Sequence, residues 1–313
     1  MDLVIVTADS THLESRPVYD GYFADPFAFR AEGVWWAVGT GRASDEGLCP
    51  MLMSEDFITW KPVGHALVPT PELGTDYWAP EIVRCGDRYR MFYSVGRGDK
   101  GHQIRVAESA RPEGPYRDMG EPVLDPASCP FAIDAHVYTD AAGADWLFYA
   151  RDFLVGDRPG TSLVVAPLED GRKVGNDFHL VARANADWQL YEANRPMYGG
   201  RYDWHTLEGP TVVRQEGAIY CLYSGGNWTN ETYGVDYVSA DRPDGAWRAD
   251  IVASPRVLKT QPNRLRGPGH NSVVEGPDGA MYIAYHAWNA ARTARKMHVS
   301  PLVWTLEGPR AEI

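Results

Sequence analysis

Short apolar runs alternate with polar turns along the whole chain. No stretch of a dozen residues keeps a helical spacing with caps at its ends, so the pattern predicts strands and very little helix. One unit returns at intervals of roughly fifty to seventy-five residues, the scale of propeller blades. It consists of a short apolar run, a turn and an aromatic strand. The copies are ADPFAFRAEGVWWAVGTG from Ala24, WAPEIVRCGDRYRMFYSVG from Trp78, IDAHVYTDAAGADWLFYA from Ile133, EGPTVVRQEGAIYCLYSGG from Glu208 and GHNSVVEGPDGAMYIAYHA from Gly269. Each reads as a β-hairpin whose second strand places residues such as Tyr89, Met91 and Tyr93 on one face. Weaker echoes, MSEDFITW from Met53, ESARPEGPY from Glu108 and SADRPDGAW from Ser239, follow a strand and end in an aromatic residue, as outer strands closing individual blades would. The expectation is an all-β fold, a five-bladed β-propeller of four-stranded antiparallel blades filling residues 1–313 as one domain.

Composition narrows the partners. With 44% hydrophobic and 23% charged residues the chain has the balance of an ordinary globular protein. Its 42 acidic against 30 basic residues give a formal charge of -12, which repels phosphate backbones and anionic bilayers, so neither nucleic acid nor membrane is expected as a partner. The 11 Trp and 17 Tyr stand beside 31 Gly and 23 Pro, which break helices and supply turns. The opening MDLVIVTADSTH has no basic lead and no small-residue cleavage site, so it reads as lacking a secretion signal and the expected location is the cytoplasm. Cys49, Cys85, Cys129 and Cys221 lie far apart and read as reduced, mostly buried thiols, not as a zinc or disulfide framework. The Asn-x-Thr patterns at Asn227 and Asn230 are taken as chance, and GRGDKG from Gly96 as a β-turn, not a phosphate loop.

Innermost strands of a radial repeat start near one axis, so their first positions converge on one pocket. Those positions carry Asp25, Trp78, Asp134, Glu208 and His270. A repeat kept for structure alone would reuse one residue type, and like charges crowded at an axis raise one another's pKa, so the divergence points to chemistry. Taken singly each has a structural reading: Asp25 before Pro26 as a turn residue, Glu208 and Asp134 as solvated acids, Trp78 as core, His270 as a structural histidine. The EGP string recurs at Glu275 and Glu307, but those two fall at a hairpin turn and after the last repeat, so register selects Glu208.

These strings, in order, resemble glycoside hydrolase family 43, inverting five-bladed enzymes acting on arabinose- and xylose-containing polymers. The likeness rests on Asp25-Pro26, Trp78-Ala79-Pro80, Ile133-Asp134, Glu208-Gly209-Pro210 and Gly269-His270-Asn271, with RKMHVSPLVW from Arg295 resembling the family's last strand. The resemblance implies Asp25 as general base, Glu208 as general acid, and Asp134 as the group that orients Glu208 and raises its pKa. It places Trp78 on the sugar platform and His270 and Arg295 near the terminal sugar. Phe23 and Trp204 are further candidate sugar contacts. Inverting hydrolysis needs this division, one carboxylate to activate water and a protonated carboxyl roughly 6.5–9.5 Å away to serve the leaving oxygen. No cofactor is required, and a structural calcium ion or a water on the axis near His270 is the one metal considered. The expected substrates are oligosaccharides carrying terminal α-L-arabinofuranose, because xyloside-cleaving relatives commonly carry a further β-sandwich domain and the Gly-Pro after Glu208 resembles exo-acting members. A β-xylosidase using the same carboxylates and a non-catalytic glycan-binding propeller are the alternatives. The insertion ADWQLYEANRPMYGGRYDWHT from Ala186 is expected to wall the pocket or hold the leaving group, through Trp188, Tyr191 or Trp204.

Overall fold

The computed structural model describes residues 16–42 and 47–313; the opening MDLVIVTADSTH, read above for a secretion signal, lies outside them. Four consecutive strands, β1 (Ala24–Ala31), β2 (Val34–Thr40), β3 (Leu48–Ser54) and β4 (Lys61–Leu67), form one antiparallel sheet in sequence order. The same plan repeats in β5 (Asp76–Cys85), β6 (Arg88–Arg97), β7 (Lys100–Ser109) and β8 (Arg117–Pro122), and again at the end in β17 (Arg266–Glu275), β18 (Met281–Trp288), β19 (Arg295–Thr305) and β20 (Gly308–Ala311). Between them lies an eight-stranded sheet. One half is β9 (Ala132–Thr139), β10 (Asp145–Phe153), β11 (Gly160–Pro167) and β12 (His179–Ala182). The other is β13 (Leu190–Met197), β14 (Gly200–Gln215), β15 (Ala218–Gly225) and β16 (Gly234–Ala240), and the halves are joined into one sheet by a short parallel pairing of Gly160 and Thr161 with His205 and Thr206. The sole helical element among the described residues is a single 3-10 turn at Asp187–Gln189.

Every repeat seen in the sequence is an antiparallel hairpin, β1–β2, β5–β6, β9–β10, β14–β15 and β17–β18. The turns at Glu32-Gly33 and Glu216-Gly217 place both residues at positive φ, the type I′ geometry whose twist matches that of the strands it joins. The echoes expected as outer strands instead mark corners. They run from the ends of β3, β7 and β16 into the turns that follow, because their Pro, Gly and Asp residues favour a turn over a ladder. After β16 no regular fourth strand forms, and the Ser239–Arg248 bridge stands in its place.

Second strands are apolar on both faces because each lies between two cores. In β6, Met91 and Tyr93 enter the cluster shared with the first sheet, while Phe92 enters the cluster shared with β9–β11. Phe148 and Ala150 of β10 join Leu207 and Cys221 in the next cluster, and Leu222 of β15 joins Ile283 and Tyr285 in the one after it. Ala284 and Val299 from the last sheet meet Trp35 and Leu52 of the first, so the succession of cores closes on itself. The segment before β1 fastens this closure, with the Val18 and Phe23 N–H groups donating to the Met297 and Arg295 carbonyls. The cysteines form no disulfide; Cys49, Cys129 and Cys221 are buried and Cys85 is exposed. Among the described residues no helix is long and apolar enough to cross a membrane.

Candidate active site

The five innermost strands share one irregularity. Pairing with the second strand is interrupted just after Ala24, Trp78, Ile133, Glu208 and Gly269 and resumes at Phe27, Glu81, His136, Thr211 and Ser272. The first residue of each interruption is left-handed: Asp25 (φ 49°), Ala79 (φ 44°), Asp134 (φ 59°), Gly209 (φ 57°) and His270 (φ 49°). Such bulges bend a strand and re-aim its side chains, and a left-handed non-glycine residue persists only where its surroundings enforce it. The enforcement is visible. The N–H of each of these residues donates to a side chain: Ala79 to Thr40 Oγ1, Asp134 to Ser94 Oγ, His270 to Ser224 Oγ and Asp25 to His286 Nδ1. Thr40, Ser94, Ser224 and His286 are the partners of the residue just before the bulge in the neighbouring hairpin. The corresponding partner in β10 is Ala150, which has no acceptor. There the Gly209 N–H is taken instead by Asp134 Oδ2 at 3.0 Å.

The sequence alignment of strand starts therefore slips by one position in two repeats. Asp25, Asp134 and His270 occupy the bulge itself, whereas Trp78 and Glu208 precede it. All five nevertheless border one cavity of about 430 Å³, together with Arg295. The remaining wall is Tyr22, Thr40, Gly41, Arg42, Asp76, Ile133 and Trp228. Of these Thr40, Gly41 and Ile133 belong to the repeat strings, and only Ile133 to a motif singled out in the sequence; the others lie outside the strings. Trp228 had one signal, a lone indole in a Gly/Asn-rich loop. Its loop is stiffened by both Asn-x-Thr patterns, since Asn227 Oδ1 accepts from Thr229 and Asn230 Oδ1 from Thr232.

One expected sugar contact is corrected. The Phe23 side chain is fully buried among Ala28, Trp35 and Ala37, and its neighbour Tyr22 faces the cavity instead. Trp204 is almost completely covered and supports the edge of a narrower recess beyond Glu208, which also includes Tyr191, Arg195 and Thr206. Trp188 packs in the core against Gly225, while Tyr191 lies on the recess with the Arg195 guanidinium 4.7 Å from its ring centroid. Trp78 presents an indole backed by the His102 ring, stacked at 3.7 Å.

Arg295 is no surface charge. Its side chain is 11% exposed, donating to Asp25 Oδ1 at 3.2 Å and to the Tyr22 hydroxyl, with its guanidinium 4.5 Å from the Trp228 ring centroid. Burial alone would raise the Asp25 carboxyl, but Arg295, His270 and the His286 contact outweigh it and hold it well below the usual carboxylate range. Glu208 goes the other way. Burial pushes it up to about 7, helped by the Asp25 charge and opposed by a hydrogen bond from Tyr233 and by Arg295. Asp134 is likewise raised by burial and then by Glu208 and Asp25, so three carboxyls around one cavity do not hold three charges at neutral pH. His270 Nδ1 lies 3.5 Å from Asp25 and 4.0 Å from Asp134, and burial lowers its pKa. Its ring rests on Gly209, where a Cβ would stand 3.3 Å from the imidazole. Among the described residues no group of three or more His, Cys, Asp or Glu is arranged to hold a metal ion. The buried Asn271 carboxamide, neither atom of which has a partner, is a neutral group of the kind that suits water.

Comparison with known proteins gives the family. The family model described as "Glycosyl hydrolases family 43" matches residues 15–309. The chain is 29% identical over 95% of its length to the β-D-galactofuranosidase xynD of Aspergillus niger, covering 83% of that protein. It is 24% identical over 91% of its length to the extracellular endo-α-(1→5)-L-arabinanase 1 of Bacillus subtilis, covering 86% of it. The crystal structure of a thermostable family-43 glycoside hydrolase superposes with a TM-score of 0.80 at 26% identity, covering 93% of both chains.

Proposed function

The chain belongs to glycosyl hydrolase family 43, and from that premise we propose that it is an inverting, exo-acting hydrolase releasing terminal α-L-arabinofuranose from oligosaccharides. Its sheets are read as five blades, β13 being an added strand on the fourth, and its cavity as the site of the terminal sugar. The observation that carries the reading is the opposite tuning of two carboxyls on one cavity wall. Asp25, kept ionised by Arg295 and His270, acts as general base on a water at the anomeric carbon, and Glu208, protonated up to about pH 7, donates to the departing oxygen. Asp134 orients the acid through the Gly209 N–H, holding the backbone next to Glu208. Trp78 offers the sugar an apolar face, and the recess bordered by Tyr191, Arg195 and Trp204 receives the leaving group.

One observation favours a second substrate. A relative that is 29% identical over 95% of this chain is named a β-D-galactofuranosidase, and β-D-galactofuranose has the ring configuration of α-L-arabinofuranose with one more hydroxymethylene outside the ring. A site built for one ring accepts the other wherever the cavity has room beyond C4. Initial rates on the 4-nitrophenyl α-L-arabinofuranoside, β-D-galactofuranoside and β-D-xyloside test this directly. The two furanosides are expected to exceed the xyloside by more than about ten-fold in kcat/KM, a difference of about 1.4 kcal/mol in transition-state binding. A xyloside preference would overturn the furanoside reading and leave the carboxylate roles standing.

A further inference from the structure

Tyr233, in the loop between β15 and β16, is fully buried, and its hydroxyl donates to Glu208 Oε1 at 2.6 Å. Among the described residues the hydroxyl has that single hydrogen-bond partner. A phenol buried this deeply needs an acceptor for its hydrogen, so the direction of the bond is fixed. The ring is fixed as well. It stacks on His286 at 5.7 Å with an interplanar angle of 11°, and it presses on Gly269 so closely that a Cβ there would lie 2.1 Å from the Tyr233 ring. The glycine of the Gly269-His270-Asn271 string is what admits this tyrosine beside the acid. His286, on the other side of the stack, holds Asp25 by accepting its N–H at 3.1 Å.

We propose that Tyr233 is a positioning residue that decides which oxygen of Glu208 carries the transferable proton. The inference rests on Glu208 being the general acid. In a protonated carboxyl the oxygen that accepts the phenol hydrogen is the carbonyl-type one, so Oε1 is committed to Tyr233 and Oε2 bears the hydrogen. On transfer, the Oε2–H bond breaks as the glycosidic oxygen gains the proton, and the resulting carboxylate keeps the Tyr233 bond. That bond is stronger to the anion than to the acid, so Tyr233 stabilises Glu208 more after proton transfer than before it. The other groups facing Glu208 are Asp25 from β1, Asp134 from β9, Tyr191 from β13, His270 from β17 and Arg295 from β19. Of these Asp25 raises its pKa and Arg295 lowers it, leaving the Tyr233 bond as the one uncharged contact that favours ionisation.

Tyr233→Phe keeps the ring and removes the bond. Expected are a loss of about ten-fold or more in kcat on an alkyl furanoside, whose leaving group needs a proton, a loss of under about three-fold on the 2,4-dinitrophenyl furanoside, and an alkaline limb of the pH profile moved to higher pH. Equal losses on both substrates with an unmoved limb would overturn the inference, because a merely structural role lowers both alike. Glu208→Gln is measured in parallel: leaving-group-dependent loss there with none in Tyr233→Phe sinks the positioning role alone, and no such dependence in Glu208→Gln sinks the acid assignment with it. If Tyr233→Phe does not fold, 3-fluorotyrosine at position 233 keeps the packing and makes the phenol more acidic. The alkaline limb then moves to lower pH, and an unmoved limb refutes the inference.

Discussion

Asp25 and Glu208 are both carboxylic acids on one cavity wall, and their neighbours drive them apart. At Asp25 the burial cost is outweighed by the guanidinium of Arg295 at 3.2 Å together with His270 and His286, whereas at Glu208 it exceeds the help from a phenol and a more remote Arg295. The profile of kcat/KM against pH should therefore fall on the alkaline side near pH 7, as Glu208 loses its proton, and stay flat down to below the ordinary carboxylate range, where Asp25 gains one. Asp25→Asn should cost about 10²–10⁴-fold on every substrate, because no leaving group removes the need to activate water; steady-state assays on aryl and alkyl furanosides would reveal any substrate that escapes the loss. Asp25, Asp134, Glu208, His270 and Trp78 were legible because they sit in repeated strings. Arg295 was legible only through the family pattern. Tyr22, Trp228 and Tyr233 were not, since a residue in a connecting loop reaches the cavity through tertiary packing that no local period records.

At the scale of the strand, the hairpins were readable and their inner edge was not. Alternation gives each strand a face, but a bulge inserts one residue and shifts the face beyond it. Nothing in ADP, WAP, IDA, EGP and GHN announces that Asp25 and Asp134 are equivalent to Ala79 and Gly209 and not to Trp78 and Glu208. The structure makes the equivalence plain through the acceptor each left-handed N–H finds. It also explains Asp134, which reaches the Gly209 N–H where β10 supplies Ala150 in place of a hydroxyl. Ala150→Ser restores the hydroxyl and gives that N–H a rival acceptor. The variant is expected to keep its melting temperature within about 2 °C and to lose about five-fold in kcat on alkyl furanosides, the value of roughly one neutral hydrogen bond. Unaltered kinetics would show that the Asp134 bond does not govern the acid.

The whole molecule carries the cost of this site. A succession of cores, each shared by neighbouring sheets and the last joined to the first, holds five bulges around one cavity, with Asp25 and Asp134 buried and Glu208 half-buried there. Glu208 illustrates the sign. Its pKa rises from 4.5 in the free side chain to about 7 in the fold, so between those values the folded chain binds more protons and stability falls as pH rises, by up to about 3 kcal/mol. Glu208→Gln should accordingly raise the melting temperature by about 2 °C or more at pH 8 and leave it nearly unchanged at pH 4, as read by calorimetry. The closed succession of sheets was foreseeable from five aromatic hairpins. The long β13–β14 hairpin was visible only as an insertion, because its docking through the Arg195–Asp99 ion pair joins residues 96 positions apart. The central claim is that Asp25 activates water directly while Glu208 serves the leaving group. The most direct test is the anomeric configuration of the first sugar released from the preferred aryl furanoside, followed by proton NMR before mutarotation. The account predicts the inverted anomer as the initial product; initial release with retained configuration would contradict it, since Asp25 would then be attacking the sugar itself.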